Sequence, residues 1–304
     1  MKQIIQKQVM MNKVLYALSP VILFSIFLFG WRVAAVLAVS NLTAFITEFL
    51  FIKNKPGKKV SMAVFVTGTL LGLTLPPTIP LWIAAVGSAV AVLFGKMVFG
   101  GFGMNIFNPA IVGRTFIYVS FPNQMTVNWL RPLAKFPGGF VKWMQPDLLT
   151  SATPISMADA GTKSVSDLNA FAGFISGSIG ETSAILIILA AVYLVFTKTA
   201  KWQSMVSTLL SFIVFTLLFY RENPIPFIIY GGLLFGTVFM TTDPVSMPKE
   251  KTTVWIYGIL IGFLTVFIRK YSLFREGFMF ALLLANSFTP IIEYAVNKMK
   301  KKRG

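Results

Sequence analysis

Ten apolar stretches follow one another along the chain, at roughly 14–30, 31–52, 61–77, 80–99, 105–121, 182–197, 203–220, 225–241, 253–269 and 275–297, with few charges inside them. Such stretches are stable in hydrocarbon, where a helix satisfies its own backbone, so the chain is predicted to be an all-α integral membrane protein. Several fall short of the roughly 20 residues that a straight span needs. Gly and Pro interrupt them, which predicts broken or re-entrant helices.

Composition narrows the function. Of 304 residues 56% are hydrophobic and 12% charged, and mean hydropathy is +0.75. The formal net charge of +17 sits in short clusters between apolar runs. That is a topology signal and argues against nucleic-acid binding. With 0 Cys and 0 His there is no disulfide, thiolate metal site, iron–sulfur cluster or ordinary haem or zinc ligation, so a redox role needs an organic cofactor. The stretch MKQIIQKQVMMNKVLYALSPVILFSIFLFG has the basic and apolar parts of a signal peptide without a small-residue cleavage site, and reads as a retained first span.

Lys and Arg give the orientation. With the N-terminus inside, the inner segments hold 17 basic residues and the short outer loops hold Arg32, Arg221, Arg269, Lys270 and Arg275. Both termini are then expected in the cytoplasm and residues 122–181 outside. The expected organisation is a membrane half over 1–121, an extracytoplasmic loop over 122–181 and a second membrane half over 182–304.

The halves resemble each other. LLGLTLPPTIPLW, around Gly72, lies beside LFGTVFMTTDPVSMPKEKTTVW, around Gly236, and NIFNPAIVG beside NSFTPIIEY. Five spans per half is odd, so the second half is expected to be inverted. The Pro-rich breaks LTLPPTIP and TTDPVSMP would fall on opposite sides, as in proteins where broken helices build a site at the repeat interface.

Two acidic residues stand at membrane depth. Glu48 lies in NLTAFITEFLF and Asp243 in the second break. A carboxylate there is costly unless paired or hydrated, which makes each a candidate for a cation or proton path. The competing expectation is that Glu48 pairs with Arg114, the lone basic residue of span five, and that Asp243 caps the broken helix. Glu293 reads as a solvated helix-end charge. Arg114 has a second reading, since a guanidinium beside a flavin's pyrimidine edge stabilises the reduced anion. Trp31, Trp82, Trp202 and Trp255 read as interfacial anchors, and the sequon at Asn41 as a chance match inside a span.

The stretch DLLTSATP, 147–154, offers the hydroxyls of Thr150, Ser151 and Thr153 beside Asp147. No His is present to turn any of them into a hydrolytic nucleophile. Alone, the stretch reads as a polar loop or helix N-cap.

The stretches NIFNPAIVGRTFIYVSFP (105–122), DLLTSATP, GSIGETS (177–183), FMTTDPVSMP (239–248) and FREGFMFALLLANSFTPIIE (274–293) occur in this order. Together they resemble the RnfD/NqrB family, whose members belong to the Rnf electron-transport complex and to the sodium-translocating NADH:quinone oxidoreductase. The resemblance implies FMN joined to Thr153 by a phosphoester, placed there by an extracytoplasmic flavin transferase that reads Asp147, Thr150 and Ser151. A tether prevents loss of the cofactor and leaves its ring free for electron transfer. The resemblance also implies a second, noncovalent flavin, riboflavin, within the spans. Asn108, Arg114 and Glu181 are the first choices for its contacts, since Gly-bounded breaks expose backbone donors there.

Only about 13 residues precede the first span, where the quinone-reductase member has a longer segment; this favours the Rnf member, which works between ferredoxin and NAD. The expected protein is then a flavin-bearing subunit of an ion-translocating complex in a bacterial or archaeal cytoplasmic membrane. It would receive electrons from a second flavin-bearing subunit and couple their passage to Na+ or H+. The rivals are the quinone-reductase member itself and a secondary transporter or channel without redox function.

Overall fold

The structure is a computed structural model and describes residues 4–301 apart from 56, 127–128, 145–166, 222, 230–231 and 273–275. The first half runs β1 (Ile5–Gln6), α1 (Val9–Phe29), α2 (Arg32–Ile52), β2 (Val60–Ser61), α3 (Ala63–Leu73), α4 (Leu81–Val92) with a π-helical turn at Leu93–Met97, and α5 (Pro109–Ser120). A connecting region carries α6 (Pro122–Thr126), a 3-10 turn (Gly138–Val141) and α7 (Asp167–Ala172). The second half runs α8 (Ala184–Phe196), α9 (Trp202–Phe219), α10 (Pro224–Ile229), α11 (Leu233–Phe239), α12 (Lys251–Tyr271) and α13 (Gly277–Lys301). The one departure from an all-helical chain among the described residues is the two-residue parallel pairing of β1 with β2.

Among the described residues five helices, α1, α2, α9, α12 and α13, are long and apolar enough to cross a bilayer. The other expected spans are shorter. The stretch 61–77 becomes an 11-residue helix followed by a break. That at 105–121 becomes 12 helical residues, and that at 225–241 is split between α10 and the 7-residue α11. The causes are local: Pro76, Pro77 and Pro80 stop the helix after α3, α5 starts on the Asn108 cap with Pro109, and α11 starts on Gly232, which is left-handed at φ 69.

The outside of this fold is greasy. Leu42, Leu50, Phe196 and Leu218 are all more than half exposed, as lipid-facing side chains are. Inside, hydroxyls bond within their own helices, as Ser25 does to the Val21 carbonyl at 2.7 Å and Thr265 to that of Ile261 at 2.7 Å. That satisfies them where no water competes.

In the first half α2 packs on α4, α4 on α5, and α1 and α5 on α3; in the second, α9 packs on α12, α12 on α13, and α8 and α13 on α11. Across the halves α1 meets α8 and α5 meets α13. The α9–α12 contact brings backbones together at Gly258 and Gly262, four residues apart. A Cβ added at Gly262 would lie 2.6 Å from the Thr208 carbonyl oxygen and 2.7 Å from the Phe212 nitrogen. Small residues at this spacing let helices approach closely in a membrane. Gly262→Ala is therefore expected to force these helices apart and lower stability by about 1–3 kcal/mol. Thermal unfolding in detergent reads this; an unchanged midpoint contradicts it.

The two breaks lie at opposite ends. Arg32, at the start of α2, bonds the carbonyls of Pro77, Thr78 and Ile79 in the first break at 3.1, 3.2 and 2.8 Å. Lys201, at the start of α9, bonds those of Pro248 and Lys249 in the second at 3.0 and 2.9 Å. The Lys201 end also holds the Lys13–Thr197 carbonyl bond of 3.2 Å and most of the lysines.

At this basic end Glu250 caps α12 through the Thr253 N–H at 3.0 Å and meets Lys300 of α13. The Lys300 hydrogen bond, then the Thr253 amide, hold the Glu250 carboxyl at about 2, below its ordinary value of 4.5. A depressed carboxylate stabilises the fold at pH values above its unfolded pKa, and that contribution is lost as pH falls from there through about 2. The stability gap between native protein and Glu250→Gln is expected to close over that acid range and to shrink with salt. Unfolding midpoints compared across pH test it; a gap that persists at the lowest pH refutes it.

Candidate functional site

Three polar constellations sit inside the apolar body. The first is an interior pocket at the second break, lined by Phe102, Asn105, Asn108, Phe239, Thr242 and Asp243, with Lys96 in its wall. Asn108 is the N-cap of α5: its Oδ1 accepts from the Ala110 and Ile111 amides at 3.0 and 3.3 Å, and Pro109 fits the first helical position. Its Nδ2 reaches the carbonyl of Met240, where α11 ends, at 3.4 Å, so Asn108 ties α5 to the break. Asp243 takes the Ser246 hydroxyl at 2.7 Å and the Val245 and Ser246 amides at 3.4 Å. Asp243 thus caps no helix, against expectation: α11 ends on Met240 and α12 starts on Glu250, and Asp243 instead ties the turn between them from the pocket wall.

The second constellation corrects an expectation. Glu48 is not paired with Arg114: its Oε2 lies 2.6 Å from Nζ of Lys96, and its Oε1 accepts the Ser61 amide at 3.0 Å. Lys96 also donates to the Ser61 hydroxyl at 2.5 Å. Lys96 is one of the 17 basic residues assigned to the inner segments, yet it is 2% exposed. The π-helical turn carries it past the end of α4 and into the protein, against α2. Its position inside the apolar stretch 80–99 was the available signal.

In the third, Arg114 of α5 donates to Glu181 at 2.6 Å through one guanidinium nitrogen and to Glu276, just before α13, at 2.6 Å through another. Arg114 is 6% exposed and Glu181 7%. The Glu181 loop reaches this depth because the Gly180 and Ile179 amides bond the Leu73 and Leu75 carbonyls at the end of α3, at 2.7 and 3.0 Å. Gly232 makes room: it has φ +69, and a Cβ there would come within 2.5 Å of Glu181 Oε1, so only Gly is unstrained.

The expected flavin contacts therefore separate. Asn108 lines the interior pocket, whereas Arg114 and Glu181 are engaged with each other and are not among its lining residues. Composition pointed to neither Asn105, Ser61 nor Glu276; only the fold brings each beside a charge. Asp147, Thr150, Ser151 and Thr153 lie outside the described residues.

The expected outer loop is not detached from the body. Trp31 and Arg32 donate their amides to the Lys142 and Trp143 carbonyls at 3.1 and 2.9 Å, and Ser178, Ile179 and Glu181 are buried. Trp31, Trp82 and Trp202 are about half exposed, as interfacial anchors are. Glu293 accepts the Lys249 amide at 2.7 Å in an exposed position, and Asn41 lies within α2, bonded to Thr69 at 3.1 Å.

Five helices long and apolar enough to cross a bilayer, breaks at opposite ends and ion pairs buried among them define a multi-pass helical membrane protein with a charged interior. The chain belongs to the NQR2, RnfD, RnfE family, whose model matches residues 1–302. It is 37% identical over 262 residues to the NqrB component of the Na(+)-translocating NADH-quinone reductase of Pseudomonas paraeruginosa, covering 81% of this chain and 62% of that protein. It is 38% identical to the protein of that name from Azotobacter vinelandii, with coverages of 81% and 62%. For that of Ectopseudomonas mendocina it is 37% identical over 285 residues, with 88% and 68% covered. The match thus spans less than two thirds of the length of the first two relatives.

Proposed function

We propose that this chain is the flavin-carrying membrane subunit of an ion-translocating oxidoreductase complex of the Rnf kind, which works between ferredoxin and NAD. Thr153 would hold FMN through its hydroxyl, the group would supply electron transfer from a second flavin-bearing subunit, and the chain would couple that passage to Na+ or H+. The observation that carries the family-level part of this reading, a membrane subunit of an ion-translocating oxidoreductase, is the family match across residues 1–302, because it spans both the hydroxyl-rich stretch and the two breaks.

The interior pocket suits a noncovalent flavin by its donor set. Phe102, Phe239, Val66 and Leu70 offer apolar faces, and Asn105, Thr242 and Asp243 a polar edge, as a flat ring with one polar rim requires. About 50 Å³ of free space is present, less than the ring fills, so seating it would require the lining to open, with Phe102 and Met10, each 40% exposed, the least confined of its side chains. Asn105 and Asp243 would orient riboflavin there, Asn108 would hold the wall, and the group would supply electron transfer.

The packing of the halves supports an inverted repeat. Helix pairs α2–α4 and α4–α5 correspond to α9–α12 and α12–α13, and Arg32 serves the first break as Lys201 serves the second. With the basic end in the cytoplasm, Glu48 and Asp243 lie on the inner half of the ion path and Thr153 outside. Flavin transferase, the complex's other subunits and a bacterial or archaeal cytoplasmic membrane belong to the same reading.

The names of the relatives favour a second reading, the NqrB component of a sodium-translocating quinone reductase. The purified complex separates the two: ferredoxin-dependent NAD reduction supports the first and quinone-dependent NADH oxidation the second. Acid precipitation tests both, since riboflavin should leave with the supernatant while FMN stays with the protein; a colourless pellet and supernatant would leave a transporter without redox function.

A further inference from the structure

Lys96 lines the interior pocket, and its ammonium bonds Glu48 and Ser61, which line a neighbouring cleft. The pocket also holds Asn105 and Asp243. The cleft, of about 530 Å³, is lined by Lys55 and Lys58 as well. Phe102 lines both, and its ring centroid is 5.8 Å from the Lys96 Nζ. The ammonium spends one donor on Glu48 at 2.6 Å and one on Ser61 at 2.5 Å, which leaves the third of its N–H groups. Asp243, in the pocket wall, is the second carboxylate within its electrostatic reach.

Three features suit this group for movement. Attraction in a buried ion pair is largely offset by the cost of desolvating both charges, so a modest change in surrounding charge can decide where the ammonium rests. The π-helical turn that carries Lys96 is a local distortion of the kind found often at functional positions. The Lys side chain has a long flexible stem and a point charge with no fixed hydrogen-bonding plane.

We infer that Lys96 is a tethered cation that switches sides: it caps Glu48 when the interior pocket carries no added negative charge, and turns toward the pocket when it does. Two electrons and one proton entering the pocket leave it one unit more negative, and the ammonium follows that charge. Glu48 and Ser61 are then open to the cleft and take up a monovalent cation or a proton. Charge arriving in the pocket thus draws a cation into the cleft, through one positioning side chain. The inference rests on the reading that the pocket holds a flavin.

The test uses the protein in its complex and a hydrophobic carbodiimide, which modifies protonated carboxyl groups in apolar surroundings, with Glu48 read by peptide mass. Glu48 is expected to be shielded in oxidised protein and to be labelled about tenfold more after dithionite reduction, a shift typical of a two-state population change. Dithionite supplies the electrons and is oxidised to sulfite. Sodium chloride, against choline chloride, should suppress the added labelling. Lys96→Gln should label equally in both states and Lys96→Arg should restore the shielding. Equal labelling of wild-type Glu48 in both states, in protein shown by extraction to hold noncovalent flavin, overturns the switch. So does a Lys96→Gln protein whose Glu48 stays shielded. Extraction that yields no noncovalent flavin sinks the flavin reading instead, and the Lys96→Gln arm still decides whether Lys96 masks Glu48.

Discussion

Thr153→Ala protein, produced together with the flavin transferase, is expected to run on a denaturing gel as a band without flavin fluorescence, whereas the native chain gives a fluorescent band. The effect is all or none, because a phosphoester needs the hydroxyl oxygen and Ala has none. Thr153→Ser restores a hydroxyl and is expected to recover part of the signal. Asp147→Ala should lower it if that carboxylate is read by the transferase, leaving the amount of protein in the membrane unchanged. A fluorescent Thr153→Ala band would mean that the flavin sits elsewhere or is not esterified, and the electron-carrying role would lose its anchor.

The second large effect is expected at Arg114. Its guanidinium is held between Glu181 and Glu276 at 2.6 Å each. Arg114→Met removes the cation and leaves two carboxylates facing one another, with Glu181 buried and Glu276 mostly so. Breaking a buried pair from one side costs about 3–5 kcal/mol, a large part of the stability of an ordinary domain. The variant is expected to accumulate poorly in the membrane and to unfold at a markedly lower temperature in detergent. Glu276→Gln should cost less, because Arg114 keeps Glu181 and the Glu276 side chain is 19% exposed, against 6% for Glu181. If Arg114→Met unfolds with the native midpoint, the triad is not a structural tie. The same comparison separates structure from redox chemistry, since a tie is lost in flavin-free protein as well.

These two residues illustrate different degrees of legibility. The hydroxyl-rich stretch around Thr153 is conspicuous because it is polar in an apolar chain, but its chemistry came from resemblance to a family, not from spacing. Arg114 stood out as a charge at membrane depth that needed a carboxylate, and its role as an ion-pair partner is what the fold shows. Its partners were not legible. Glu48 was a candidate by its depth in the apolar pattern, yet Glu48 is on α2, which packs on α3 and α4, while α5 faces α13 and the 177–183 turn. Lys96 reaches Glu48 through a π-helical turn that no periodicity announces.

The amino-acid sequence by itself determined that this is a helical membrane protein, where its helices break, and that the breaks fall at opposite ends. Those features follow from local rules: hydrocarbon demands internally bonded backbone, Pro ends helices, and Lys and Arg gather at one face. Only the tertiary structure decided which charge answers which, that Asn108 and Asp243 share one pocket, and that Lys96 in that pocket's lining bonds Glu48 in the lining of the neighbouring cleft. A buried charge is indifferent to how far along the chain its partner lies; it needs one at the same depth on a touching helix face, and helix–helix packing alone settles which faces touch.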